Sequence, residues 1–168
     1  MSLRLSAPLV ALLVLAGCDS GNDDDLFLAL QGTYQLDELS FDPATSSLPT
    51  ADVGARLDLD DTVLQLFGDG TGQFIVFDGS TGLSSRIELL YDPSSTRASF
   101  EAETDRDGDS LSELLLPEEF SLTYQGDRAT QLTGSFDVSG VDLESFDPAV
   151  YQDQRSNRGT LTIRFSRP

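Results

Sequence analysis

Carboxylates are the side chains this sequence offers most freely for chemistry, and one stretch spaces them usefully. Among 168 residues there are 29 Asp and Glu against 10 basic residues, with no histidine. In Asp105-Arg106-Asp107-Gly108-Asp109 the acids recur at every second position. A calcium loop uses that spacing to converge oxygens on one ion, and Glu113 offers a further oxygen. The pattern departs from a calcium loop in two places. Ser110 stands where the turn glycine would follow a third Asp, and Leu116 stands where a bidentate Glu would close the loop. Starting the loop at Glu103 places Gly108 correctly but puts Leu114 at the closing position. Two readings stay open: a calcium site of Asp105, Asp107, Asp109 and Glu113, or a solvated acidic loop. Catalysis has less to draw on. Without histidine the chain lacks the usual general base, and a single cysteine is all it offers as a thiol nucleophile. No glycine-rich phosphate loop lies between a strand and a helix. The expectation is a protein that is not an enzyme.

That cysteine, Cys18, ends a segment built for export. Arg4 supplies the positive start, Leu5 to Ala16 form an apolar run, and the small residues Ala16 and Gly17 precede Cys18. The run is shorter than the roughly 20 residues a spanning helix needs. Leu15-Ala16-Gly17-Cys18 resembles the bacterial lipobox, in which the cysteine is acylated and becomes the first mature residue. The resemblance implies a signal peptide over 1–17 and a lipoprotein carrying palmitate-type acyl chains on Cys18. A single cysteine also rules out an internal disulfide. Residues 18–30 then read as the lipidated cysteine and an acidic, flexible tether, Asp19-Ser20-Gly21-Asn22-Asp23-Asp24-Asp25 being small and polar. An acidic run behind the cysteine is similar to the surface-export signal of some Gram-negative lipoproteins. Asp directly after it is similar to an inner-membrane retention signal. The expected location is the cell envelope at the outer membrane, with the face left open.

Loss of residues 1–17 removes one positive charge and no negative one, taking the side-chain balance from −19 to −20. So acidic a surface repels nucleic acid and anionic headgroups. The expected partners are the membrane, through the lipid, and a small apolar ligand or an envelope protein or glycan. The missing lysine favours a high-salt bias over a site-specific role for the acids.

The elements that must position any site are strands. From Gly32 onward apolar and polar residues alternate, the period of a strand with one buried face. Eight are expected: 32–40, 62–67, 72–78, 83–91, 96–104, 118–125, 130–138 and 159–167. Gly68-Asp69-Gly70-Thr71, Asp92-Pro93-Ser94-Ser95 and Gly126-Asp127-Arg128 have tight-turn chemistry. The connections 41–61, 105–117 and 139–158 are long. In an up-and-down meander this parity puts the three long loops at one end and the N-terminus at the other. One further strand, for which Leu57-Asp58-Leu59 is the candidate, would disturb it.

Closing the sheet removes its edges, so the expected fold is all-β, a single antiparallel eight-stranded barrel over 31–168, with a β-sandwich as the alternative. The arrangement resembles the lipocalin-like barrels of bacterial lipoproteins. Gly32-Thr33-Tyr34 matches their Gly-x-Trp with Tyr for Trp, and the resemblance implies an arginine packed on that aromatic, assigned to Arg164. Binding of an apolar ligand at the long-loop end predicts a cavity lined by Tyr34, Phe74, Phe100, Phe120 and Phe136. An interaction protein with a filled barrel predicts no cavity, with Leu111 to Leu116 or Phe146 to Tyr151 exposed. Leu111, Leu114, Leu115 and Leu116 read as a plug for the barrel end or a lid. Asp147-Pro148 reads as the start of a short helix over the mouth.

Overall fold

In the computed structural model the described residues are 23–57, 61–78, 81–90, 96–124 and 129–168. Helix α1 (Asp23–Leu30) leads into β1 (Gly32–Pro43), followed by β2 (Ala51–Asp52), a 3-10 turn (Val53–Arg56), β3 (Val63–Leu66), β4 (Thr71–Asp78) and β5 (Thr81–Leu90). Then come β6 (Arg97–Ala102), α2 (Asp105–Ser112), β7 (Glu119–Tyr124), β8 (Gln131–Val141) and β9 (Asn157–Ser166). Sequential strands pair antiparallel, and β9 returns to pair with β1 from Gln35↔Ser166 to Pro43↔Gly159. The first and last strands therefore close the sheet into an eight-stranded barrel rather than a sandwich. The lipobox, Cys18, the start of the tether, Asp58-Leu59 and the turns at 92–95 and 126–128 lie outside the described residues.

Alternation dictates the core. On β9, Leu161, Ile163 and Phe165 are buried, and on β7 Phe120 and Leu122. β1 buries Tyr34 and Leu36, then Leu39 and Phe41, an odd step that a pure two-residue period cannot produce. A register shift against β9 between Leu36 and Glu38 supplies the extra residue and turns the strand's inner face with it.

A ninth strand exists, at Ala51–Asp52 rather than at Leu57, and the parity survives it. Ser40 and Phe41 pair with both β2 and β9, and Gln35 pairs with both β3 and β9. β2 and β3 thus share the edge of β1 opposite β9, both antiparallel to it. They form one stave of the barrel, interrupted between Asp52 and Val63.

The three long connections do meet at one end. Tyr151 Oη donates to Pro49 O at 3.2 Å across two of them, and the segment after α2 lies beside the end of β8. Leu111, Leu114, Leu116, Leu143 and Tyr151 are buried there, so the exposure of Leu111 to Leu116 expected of an interaction protein does not hold. These leucines plug the barrel end, and in the last loop Val150 is the large apolar side chain left exposed. No helix forms at Asp147. Its carboxylate caps the amides of Ala149 and Val150, but only turns follow, and Asp153 takes a positive φ of 62° that a continuing helix would not accept. The opposite end is closed by α1, where a flexible tether to residue 30 was expected. Leu30 is fully buried, and Tyr34 Oη donates to its carbonyl at 2.7 Å.

Candidate functional site

The five aromatic residues expected to line a cavity fall into two sets. Tyr34, Phe74 and Phe100 are essentially inaccessible in the core. Phe74 meets Phe165 edge to face with ring centroids 5.4 Å apart. Phe100 and Phe120 stack at 5.3 Å, and Phe120 meets Phe136 edge to face at 6.3 Å. These separations are those of aromatic pairs in direct contact, so the rings occupy the space between them.

Phe136 is different in being only half-buried, and the cause is the backbone. β7 and β8 pair at Thr123↔Thr133 and Tyr124↔Leu132. Continuing that register would oppose Leu122 to Gly134 and Phe120 to Phe136, but the ladder stops. Gly134 is enclosed by side chains: a Cβ there would stand 2.7 Å from Leu122 Cδ2 and 2.5 Å from Phe136 Cζ. The two strands are thus held by rings and a leucine where hydrogen bonds would otherwise run. An outward-opening cleft of about 510 Å³ follows the gap. Phe120, Gly134 and Phe136 lie within it, among hydroxyls that include Ser121, Thr133 and Ser135, with Arg97 and Glu119 contributing opposite charges. Ladder groups left without a strand partner must take water or a ligand. Apart from the two aromatics, sequence reasoning missed this cleft. The one signal was Gly134 inside a strand, which marks a close approach or an interruption.

The proposed calcium loop is a helix. Thr104 caps α2 by accepting from Asp107 N at 3.3 Å and donates to the Asp107 carboxylate. Asp107 is buried and turned inward, where it also accepts from Arg86 N at 2.8 Å. Burial raises its pKa, but the Arg86 amide, the Thr104 hydroxyl and the Arg86 charge outweigh it and hold the carboxyl below its ordinary value. Asp105, Asp109 and Glu113 remain exposed. A helix advances about 100° per residue, so carboxylates two apart point to different sides instead of converging. Among the described residues no group of three metal-ligating side chains is present.

Arg164 is not the arginine on the aromatic. It lies outside the barrel, 2.9 Å from Glu38 and 3.8 Å from Asp37. Arg167 takes that position, with its guanidinium carbon 4.9 Å from the Tyr34 ring centroid and Nη2 2.7 Å from Tyr34 Oη. Nη2 also reaches Ala29 O at 3.1 Å and Gln31 O at 2.8 Å, joining α1 to the barrel. Tyr34 has its pKa raised by burial, against the opposing pull of Arg167. Leu111, Leu114 and Leu116 sit in the core, whereas Leu115 is held at φ 64° and borders a recess of about 240 Å³ with Pro117, Val138 and Val141. Compared with protein-family models, curated proteins and solved structures, the chain matches none of them.

Proposed function

We propose that this chain is a non-catalytic envelope lipoprotein, anchored through Cys18 at the outer membrane, whose filled barrel acts through its surface on an envelope protein or glycan. The observation that carries the reading is the contact of Phe120 with Phe100 on one side and Phe136 on the other, which spends on packing the rings an apolar ligand would need. The cleft between β7 and β8 is the surface we assign to the partner. It offers backbone groups without a ladder, hydroxyls and an aromatic floor, chemistry suited to an extended, polar chain. The anchor reading rests on the lipobox resemblance of Leu15-Ala16-Gly17-Cys18.

A second reading, binding of a small apolar ligand at the long-loop end, is favoured by the recess beside Leu115, Leu116 and Pro117. Native mass spectrometry of the mature chain mixed with an envelope lipid extract separates the two. The filled barrel predicts the bare protein mass. A discrete small-molecule adduct would overturn that reading and establish the second.

A further inference from the structure

The end of the barrel closed by α1 carries an apolar patch that the fold does not use. Large hydrophobic side chains exposed among the described residues are Leu28, Phe67 and Val150, at 60%, 45% and 50%. Val150 belongs to the long-loop end. Leu28 and Phe67 lie together at the other: Leu28 Cδ2 would stand 3.6 Å from a Cβ on Gly68, so α1 rests its outward leucine against the turn that presents Phe67. The same turn is built tightly around the helix. Gly70 has φ 83°, and a Cβ there would meet the Phe27 ring at 2.9 Å. The turn therefore holds Phe67 outward beside Leu28 rather than folding it inward.

The length of chain before the helix says what covers this patch. Between Cys18 and the first residue of α1 stand only Asp19, Ser20, Gly21 and Asn22. Even fully extended, five residue steps span at most about 18 Å. If the acyl chains on Cys18 enter a bilayer, the start of α1 is held within that distance of the headgroups, with Leu28 on the same helix. We infer that Leu28 and Phe67 form a lipid-docking patch that seats the α1 end of the barrel on the membrane surface. This deepens the anchor reading above and rests on it. Docking turns the three long loops and Val150 away from the bilayer. Asp19, Asp23, Asp24, Asp25 and Asp69 cluster in sequence around the patch, so the surface it suits is zwitterionic.

The chain has no tryptophan, so one introduced tryptophan reports its own position without background. Leu28→Trp, Phe67→Trp and Val150→Trp are made in the full chain, matured in a Gram-negative host and reconstituted in phosphatidylcholine vesicles containing nitroxide-labelled lipid. All three sites are exposed, so each variant is expected to fold, and circular dichroism checks it. The docked barrel predicts quenching at positions 28 and 67 at least about threefold stronger than at 150, weakening when phosphatidylglycerol replaces part of the phosphatidylcholine at low salt. Equal quenching at all three sites, in protein whose intact mass shows acyl chains on Cys18, would overturn the docking patch and leave the anchor standing. An intact mass showing unmodified Cys18 would overturn the anchor and the patch together.

Discussion

Arg167→Met tests whether the clamp at the closed end holds α1 to the barrel. The guanidinium Nη2 has two protons for three acceptors, Ala29 O, Gln31 O and Tyr34 Oη, so two well-formed bonds exist at any time. A hydrogen bond from a charged donor contributes about 1.5–3 kcal/mol net, and the cation over the Tyr34 ring adds about 1 kcal/mol. Residue 31 is exposed, so its carbonyl recovers water when the donor leaves, and the lower end of the range applies. Methionine keeps part of the apolar stem. The loss is therefore about 4 kcal/mol, or a Tm lowered by about 8–16 °C in a domain of this size. Arg164→Met is the matched control. Its ion pairs with Asp37 and Glu38 are between side chains about a third or more exposed, and such pairs contribute about 0–1 kcal/mol. Differential scanning calorimetry gives the two Tm values, and hydrogen exchange locates the effect. Amides of α1 should exchange faster in Arg167→Met and unchanged in Arg164→Met. Equal Tm losses, or an α1 whose exchange ignores Arg167, would refute the clamp.

Gly159→Ala should be far more costly than a glycine change on an exposed turn. Its Cβ would lie 2.2 Å from the backbone oxygen of Asp42 and 2.7 Å from Phe41 Cζ, where β9 pairs with β1 and β8 at once, so urea unfolding should show a loss of about 3 kcal/mol or more. Asp107→Asn should destabilise by about 1–2 kcal/mol at neutral pH through the weakened hold on Arg86 N and Thr104. Because the folded carboxyl titrates below its ordinary value, its contribution is complete above the unfolded pKa and is lost as pH falls through the folded one. The gap between wild type and variant should hold from pH 5 to 8 and close below about pH 4; a gap that persists in acid would assign the effect to packing. Calcium at millimolar concentration should move Tm no more than magnesium does, since the α2 carboxylates do not converge; a calcium-specific rise would reinstate the site.

The strands were legible because each buries one face, and residues such as Leu161, Ile163 and Phe165 repeat at the period of the pleat. The same period decides between the two arginines. Residue 167 continues the inward series 161, 163, 165, and residue 164 falls outside it, so the position over Tyr34 was readable in the alternation. α2 was obscured by competing signals. Thr104 with Asp107 three residues on is a capping pattern, yet the two-residue spacing of acids and Gly108 at the helix centre both point away from a helix. The gap between β7 and β8 leaves almost no local trace, because Phe120 and Phe136 point inward whether or not their strands are joined. What separates them is the register across the pair, a tertiary property.

Alternation likewise tells which face is enclosed but not what fills it, and an eight-stranded barrel lies at the margin where side chains alone suffice or one small ligand fits. Here the balance is tipped from outside the strands. The long-loop end sends Leu111, Leu114, Leu116 and Leu143 inward, α1 sends Leu30 from the other end, and Phe100 and Phe120 stack between. The function proposed above therefore assigns recognition to the wall, which is open where Phe120 and Phe136 replace the β7–β8 ladder with a side-chain contact.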